Sequence, residues 1–277
     1  MSMRVTPATP AVPLAAWVGG KRRLAPLIVE RLRAMPHETY MEVFLGMGGV
    51  FLRRGWRSPV EVINDRSEDV ANLFRVTQRH LPALLDYFSL QLSSRAEFER
   101  LAAVNPWTLT DIERAARFLY LQRLAFGGKV ISQVFGVDPR SPGRLNPDGL
   151  PRLLRAVHGR LAGVTIECLD WRDFLDRYDA PDGLMYLDPP YSGSEGYYGP
   201  SLFSPADHAD LAARLRGLKS RWLLSINDTP EIRALYAGCH IEPVTLRYSL
   251  SGGEGVPAAE LLISREPTMV SQGALFR

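Results

Sequence analysis

The sequence predicts a Rossmann-like α/β fold with a mostly parallel sheet, and three features carry this prediction. The apolar run Gly183–Leu187 is typical of a strand buried between two layers of helices. The strand-like segments Thr39–Phe44 and Val60–Asn64 end in a glycine-rich turn and an acidic residue, as at the start of a nucleotide-binding fold. Near the end, Cys239–Leu250 and Glu260–Ser264 flank a glycine-rich loop and predict an antiparallel edge.

The length and composition are those of a globular protein. A chain of 277 residues with 46% apolar residues forms one large domain, or one domain with a sizeable insertion. The two cysteines, Cys168 and Cys239, form no CxxC motif, which suits a reducing cytoplasm. No His/Cys cluster has zinc-ligand spacing, and no apolar run approaches the ~20 residues of a membrane span. We therefore expect a cytoplasmic protein without a metal or a membrane anchor.

The central strand runs directly into Asp188-Pro189-Pro190-Tyr191. Two prolines cannot continue a strand ladder, so the strand ends there in a stiff turn. This turn holds Asp188 and Tyr191 close to the backbone carbonyl of Pro189. Open α/β sheets bind ligands at the carboxyl ends of their strands, which favours a functional site here. The alternative is a Pro-Pro turn that only closes a strand.

Two further segments have the character of binding loops. Gly19 and Gly20 separate Trp17 from Lys21 at the start of a predicted helix, 22–35, where backbone amides can approach a polar ligand closely. Gly46 and Gly48 form the turn after the first strand, and Asp65 ends the second. An acid at that position is suited to binding ribose hydroxyls.

The ribose of either NAD or S-adenosylmethionine satisfies this pattern. The glycine turn lacks the third glycine of the dinucleotide fingerprint, because Phe51 stands at that position. The turn therefore does not require a bound pyrophosphate.

A helical and basic region separates the two halves of the predicted sheet. The pattern is helical from about Asn72 to Arg160, and Thr110-Asp111-Ile112-Glu113 has the form of a capping box. Between Arg114 and Arg160 nine basic and two acidic residues give a local net charge of +7, against +3 for the whole chain. The alternating stretch Val130–Val137 predicts a strand. Such a region suits a phosphate backbone, and the alternative is a solvated helical surface.

Taken in order, these motifs resemble the Dam-type DNA adenine N6-methyltransferases, and most closely their phage and prophage members. The similarity covers Trp17–Lys21, Phe44-x-Gly46-x-Gly48-Gly49, Asn64-Asp65 and the Asp188–Tyr191 motif. It also covers Asp170-Trp171, which follows a predicted strand at 164–169. The resemblance implies the S-adenosylmethionine-dependent methyltransferase fold, with a catalytic domain at 1–70 and 161–277 and a helical DNA target-recognition insertion at 71–160.

The resemblance also assigns roles to individual residues. The expected catalytic residues are Asp188, Pro189, Pro190 and Tyr191. The expected residues of an S-adenosylmethionine site are Trp17, Lys21, Phe44, Gly46, Gly48, Asp65, Asp170, Trp171 and Asp188. The expected DNA-binding residues are Arg123, Lys129, Arg140 and Arg144, which are chosen from the basic charge of the insertion. The segment Phe126–Lys129 departs from the asparagine-containing version of the family, so the target sequence stays open.

The implied reaction methylates an adenine that has been extruded from duplex DNA. Asp188 and the Pro189 carbonyl accept the two hydrogen bonds of the amino group, which localises the nitrogen lone pair and directs it at the sulfonium methyl. Tyr191 is expected to stack on the extruded base.

Two alternatives remain at this stage. The first is a methyltransferase that acts on the cytosine amino group or on RNA; the acid at the first motif position favours adenine, because cytosine enzymes of this kind usually carry serine there. The second is a DNA-binding protein that retains an inactive methyltransferase fold. The family resemblance allows a cognate restriction endonuclease as a partner, and nothing in the sequence indicates an oligomeric state.

Overall fold

The computed structural model describes residues 5–136, 143–146, 148–193, 202–248 and 256–268, with only the backbone described at 246–248 and 256–258. The strands are β1 (Thr6–Pro7), β2 (Thr39–Glu42), β3 (Trp56–Arg57), β4 (Val60–Asn64), β5 (Thr165–Glu167), β6 (Gly183–Leu187), β7 (Arg221–Asn227), β8 (His240–Tyr248) and β9 (Val256–Ser264). The α-helices are α1 (Ala25–Ala34), α2 (Glu68–Arg79), α3 (Leu81–Ser89), α4 (Arg95–Ala103), α5 (Asp111–Leu124), α6 (Gly149–Arg160), α7 (Trp171–Tyr178), α8 (Asp207–Gly217) and α9 (Pro230–Leu235).

Seven strands form the main sheet in the order β5-β4-β2-β6-β7-β9-β8. The first five run parallel, whereas β9 pairs antiparallel with both β7 and β8. The predicted mostly parallel sheet with an antiparallel edge is therefore confirmed. Strand β6 lies at the centre and has the predicted bounds, and all five of its residues are buried. Its continuous apolar character follows from this position, because helices cover both faces.

The two faces of the sheet bury different side chains. Adjacent residues of a strand point to opposite faces, so Tyr40 and Met41 of β2 belong to separate apolar clusters. The Tyr40 side packs against α1, α2, α3, α5 and α6, and the Met41 side packs against α7, α8 and α9. This arrangement of helices on both faces leaves the carboxyl ends of the parallel strands open for a site.

The helical region contains the predicted capping box at the start of α5. The Thr110 hydroxyl accepts a hydrogen bond from the Glu113 backbone N–H, and the Glu113 side chain accepts one from the Thr110 N–H. The strand predicted at Val130–Val137 is wrong over its described residues, 130–136. That stretch closes a loop through the Phe126 N–H, which donates to the Val134 carbonyl, and it has no neighbouring strand beyond an isolated bridge between Ala125 and Phe135.

A buried ionic cluster joins the helical region to the sheet. Glu61 on β4 accepts hydrogen bonds from Arg54 and from Arg160, the last residue of α6, at 2.6–2.9 Å. All three side chains are at most 4% exposed. Removing one partner of such a cluster leaves an uncompensated buried charge, which costs about 3–5 kcal/mol.

The division into a catalytic domain and an insertion at 71–160 stays a prediction. The helices of the insertion share an apolar cluster with the sheet.

Candidate active site

The predicted motifs meet at the carboxyl edge of the sheet. Strands β2, β4 and β6 are neighbours and run parallel, so the residues that follow them lie at the same edge. The glycine turn after β2, Asp65 after β4 and Asp188 after β6 are thereby brought together. The N-terminal motif around Trp17 packs onto the glycine turn from outside the sheet.

Gly46 is the position where the glycine turn needs a glycine. Its φ is +51°, and an added Cβ would lie 2.6 Å from the indole Nε1 of Trp17. A side chain at this position would therefore strain the backbone and displace the indole ring. The glycine turn and Trp17 therefore form one continuous wall, although their motifs are far apart in the sequence.

Asp65 is fixed to the glycine turn by its own carboxylate. Its Oδ2 accepts a hydrogen bond from the Gly46 N–H at 2.7 Å, and its Oδ1 accepts one from the Ser67 N–H at 2.8 Å. Burial raises the pKa of Asp65 to about 6, against the opposing effect of these two backbone donors. Each carboxylate oxygen has a second lone-pair direction, so the group can still accept a ligand hydroxyl.

A cavity lies between these elements. Six predicted site residues line it, namely Trp17, Phe44, Gly46, Asp65, Asp188 and Pro190. Val18, Leu45, Arg66, Ser67, Val130, Leu202 and Phe203 complete the lining. The walls are aromatic and apolar, with Phe44 and Phe203 in edge contact at 5.8 Å, and a carboxylate lies on each side. This combination suits a ligand with a flat ring and polar hydroxyl or ammonium groups.

Lys21 lies deeper than the sequence suggests and does not line this cavity. Its Nζ is 2.7 Å from Asp188 Oδ1 and donates to the Gly19 carbonyl at 2.9 Å. The ammonium group also lies 4.5 Å from the centre of the Tyr191 ring. The side chain is 3% exposed, so the N-terminal motif delivers a buried cation to the Asp-Pro-Pro-Tyr turn.

Asp188 has a second partner on the neighbouring strand β7. The Ser225 hydroxyl donates to Asp188 Oδ1 at 3.0 Å. Burial raises the pKa of Asp188, and the nearby Glu260 carboxylate acts in the same direction, whereas Lys21 and Ser225 lower it. The carbonyl oxygen of Pro189 accepts no hydrogen bond from any described residue. The turn therefore offers two acceptors at the carboxyl end of β6.

Tyr191 is held by Glu260, a residue to which the sequence assigned no role. The Tyr191 hydroxyl donates to Glu260 Oε2 at 2.5 Å, and Glu260 on β9 is 3% exposed. Burial, with the neighbouring Asp188 and Glu260 carboxylates, raises the pKa of Tyr191 strongly. The next residue is also fixed, because Ser192 exchanges two 3.0 Å hydrogen bonds with the Asn227 side chain.

Besides Lys21, three predicted cofactor residues do not line the cavity. Asp170 caps α7 by accepting from the Arg172 N–H, and Trp171 is 2% exposed, with its ring 6.3 Å from that of Phe203. Gly48 has a φ of +70° and faces Leu52. Trp171 thus supports the cavity wall through Phe203. A direct contact between any of the three and a cofactor stays a prediction.

Buried Gln122 joins the helical region to the N-terminal motif. Its Nε2 donates to the Ala16 and Gly128 carbonyls at 2.8 and 2.9 Å. Gly128 has a φ of +68°, and an added Cβ would lie 3.0 Å from the Trp17 nitrogen. The Phe126–Lys129 segment is therefore attached directly to the cavity wall. Only the glycine pair gave a sequence signal for this contact.

The four predicted DNA-binding residues differ in their surroundings. Arg123 is half-buried and donates to the Leu14 and Arg144 carbonyls, while Arg144 donates to the Ala125 carbonyl. Lys129 is exposed, and Arg140 lies outside the described residues. Arg123 has a structural role that the sequence did not reveal. The DNA contacts of all four stay predictions.

The described residues contain neither a candidate metal-binding cluster nor a candidate membrane span. They contain no group of three or more His, Cys, Asp or Glu side chains arranged to hold a metal ion. Their helices include none that combines the length and apolarity needed to cross a bilayer.

Comparison with known proteins connects this geometry to one enzyme family. Residues 17–250 match the family model of the D12 class N6 adenine-specific DNA methyltransferases. The chain is 26% identical over 253 residues to the DNA N-6-adenine-methyltransferase of Escherichia phage P1, covering 85% of this chain but 32% of the phage protein. It is 25% identical over 257 residues to the Retron Ec67 DNA adenine methylase of Escherichia coli, covering 89% and 88%.

A third relative comes from a virus of algae. The chain is 23% identical over 228 residues to the type II methyltransferase M.CviBI of Paramecium bursaria Chlorella virus NC1A, covering 82% of this chain and 86% of the relative. The matched family region contains the Trp17–Lys21 motif, the glycine turn, Asp65 and the Asp188–Tyr191 turn. The chain therefore belongs to the D12 class N6 adenine-specific DNA methyltransferases.

Proposed function

We propose that the chain transfers a methyl group from S-adenosylmethionine to N6 of an adenine extruded from duplex DNA. The observation that carries the proposal is the pair of acceptors at the Asp-Pro-Pro-Tyr turn. Asp188 and the Pro189 carbonyl lie at the end of the central strand, beside a cavity with an acidic, aromatic wall. The family match favours adenine in DNA over the cytosine and RNA alternatives.

The cavity residues fit S-adenosylmethionine by the chemistry of their side chains. Asp65 would accept ribose hydroxyls, and the aromatic rings of Phe44 and Phe203 would enclose the adenine ring of the cofactor. Trp17 offers a ring face to a positive charge. The cofactor supplies an activated methyl group on a sulfonium centre, so no metal is needed for the transfer.

The turn would prepare the target nitrogen for attack. An exocyclic adenine nitrogen is a weak nucleophile because its lone pair is delocalised into the ring. Hydrogen bonds from its two N–H groups to Asp188 and to the Pro189 carbonyl hold the hydrogens out of the ring plane. Asp188 also stabilises the positive charge that develops on nitrogen, and such a charge-assisted contact contributes on the scale of a few kcal/mol.

The adenine must leave the duplex to reach this turn, because its amino group is engaged in base pairing. Extrusion costs a few kcal/mol, and stacking on an aromatic ring offsets about 1–3 kcal/mol of that cost. Tyr191 is the ring next to the acceptors. The exposed Lys129 segment beside the cavity is the candidate for contact with the DNA backbone. A cytoplasmic location and a restriction endonuclease partner stay predictions.

The direct test is product identity. The protein is expressed in a host without DNA methylation, and the genomic DNA is sequenced by a method that reports methylated adenine. We expect methylation at one short sequence and N6-methyladenine as the modified nucleoside by mass spectrometry. N4-methylcytosine in place of N6-methyladenine would contradict the substrate assignment. Protein with Asp188→Ala serves as the matched control, and its DNA should stay unmodified.

A further inference from the structure

The two oxygens of the Asp188 carboxylate have different surroundings. Oδ1 lies 2.7 Å from Lys21 Nζ and accepts a hydrogen bond from Ser225 Oγ at 3.0 Å. Oδ2 accepts no hydrogen bond from any residue in the described ranges, and Asp188 is one of the residues that line the cavity. The carboxylate is thus anchored through one oxygen, and the other remains available to a substrate.

The anchor continues into the core through Tyr186. Its hydroxyl lies 2.8 Å from Ser225 Oγ, and both residues are at most 1% exposed. A serine hydroxyl has a single proton, and Ser225 gives it to Asp188. The Tyr186 hydroxyl must therefore donate to Ser225. Two donors in series point at Oδ1, and neighbouring strands β6 and β7 hold them in place.

We propose that Ser225, supported by Tyr186, is a positioning residue that fixes Oδ1 of Asp188 and so presents Oδ2 to the adenine amino group. The inference rests on the proposed role of Asp188 as the acceptor of that group. A carboxylate held through one oxygen by two partners cannot rotate freely, so its second oxygen keeps one orientation. Pre-set acceptors of this kind avoid reorganisation during the reaction.

Ser225 also influences the charge of Asp188. Five other ionisable groups surround this carboxylate: Lys21, Glu42, Tyr186, Tyr191 and Glu260. Burial and Glu260 raise the pKa of Asp188, whereas Lys21 and the Ser225 hydrogen bond lower it. Loss of the Ser225 hydroxyl should therefore raise this pKa further, and a larger share of Asp188 would be protonated at a given pH.

The test compares single-turnover methyl transfer by the native protein and Ser225→Ala across pH, with saturating S-adenosylmethionine and a DNA duplex that carries the methylated sequence. We expect the rate constant to fall about tenfold or more, the scale of one hydrogen bond to a charged group. The affinities for both ligands should be unchanged. The acidic limb of the pH–rate profile should move to higher pH, a change that a purely structural role would not produce.

Two variants make the result decisive. Tyr186→Phe keeps the Ser225 hydroxyl but removes the Tyr186 hydroxyl that donates to it. The acidic limb of the pH–rate profile should therefore move in the same direction by a smaller amount. Ser225→Thr retains a hydroxyl and should recover the native limb. If Ser225→Ala does not fold, the Tyr186→Phe profile decides alone.

The inference is overturned if folded Ser225→Ala and Tyr186→Phe proteins keep the native rate constant and the native acidic limb while Asp188→Ala is inactive. If Asp188→Ala itself keeps its rate, the proposed function is what has failed.

Discussion

Removing the Tyr191 hydroxyl separates the observed contact of this residue with Glu260 from its proposed stacking on the extruded base. The hydroxyl donates to Glu260 Oε2, and Glu260 is 3% exposed. Tyr191→Phe removes this donor from a buried carboxylate, and a hydrogen bond to a charged group contributes about 1.5–3 kcal/mol. We therefore expect the free energy of unfolding to fall by at least that amount in denaturant titrations.

A double variant tests the cause of this loss. Glu260→Gln removes the buried charge, so combining it with Tyr191→Phe should cost less than the two single changes added together. The coupling free energy from this cycle is the direct measure of the hydroxyl–carboxylate contact. Equal stability of native protein and Tyr191→Phe would refute the reasoning.

The ring itself should govern activity. Tyr191→Phe keeps a stacking surface and should retain most of the single-turnover rate below its unfolding temperature. Tyr191→Ala loses a contact worth about 1–3 kcal/mol, so its rate or its affinity for the extruded base should fall about 5- to 150-fold. A mismatch opposite the target adenine lowers the cost of extrusion and should partly rescue Tyr191→Ala. If Tyr191→Ala is as active as the native protein on matched DNA, the base does not stack on Tyr191.

Further predictions concern three other residues. Burial raises the pKa of Glu42 to about 8, above its unfolded value of about 4.5. The contribution of Glu42 to the free energy of unfolding is therefore complete below pH 4.5 and is lost as the pH rises through 8. Glu42→Gln should remove a few kcal/mol of this pH dependence, measured by urea titration at several pH values. Burial raises the pKa of Asp65 to about 6, and only the carboxylate can serve fully as an acceptor, so affinity for S-adenosylmethionine should decline below pH 6 in calorimetry. Asp65→Ala should weaken that binding by about 1.5–3 kcal/mol at pH 8, and unchanged affinity would rule out the ribose contact. Lys129→Ala should reduce the slope of the logarithm of the DNA association constant against the logarithm of salt concentration by about 1. The exposed Lys219 lies at the amino ends of the parallel strands, opposite the site, so its substitution by alanine is a control that should leave this slope unchanged.

The sequence predicted those parts of the fold and site that have a local signal. The buried strand Gly183–Leu187 and the turn at Asp188 could be located because apolar runs and proline pairs act over a few residues. The pairing of the glycine turn with Asp65 followed from the order of parallel strands, and the Gly46–Asp65 hydrogen bond agrees with it.

What the sequence could not predict depends on contacts between distant segments. Ser225 and Glu260 reach the site only because β7 and β9 lie next to β6, and the sequence assigned neither residue a role. Gln122 has no sequence signal of its own, because its contact depends on the packing of its helix behind Trp17. The alternation at 130–136 resembled a strand because the periodicity does not report whether a partner strand exists.

The most direct test of the central claim is the single-turnover rate of Asp188→Ala on DNA that contains the target sequence, with S-adenosylmethionine and DNA both saturating. We expect the rate constant to fall by about 10²–10³, which corresponds to ~3–4 kcal/mol of transition-state stabilisation. Both ligands should still bind, because the prolines keep the turn and Asp65 keeps the ribose contact. A folded Asp188→Ala protein that transfers methyl groups at the native rate would contradict the assignment of Asp188 as the acceptor of the adenine amino group.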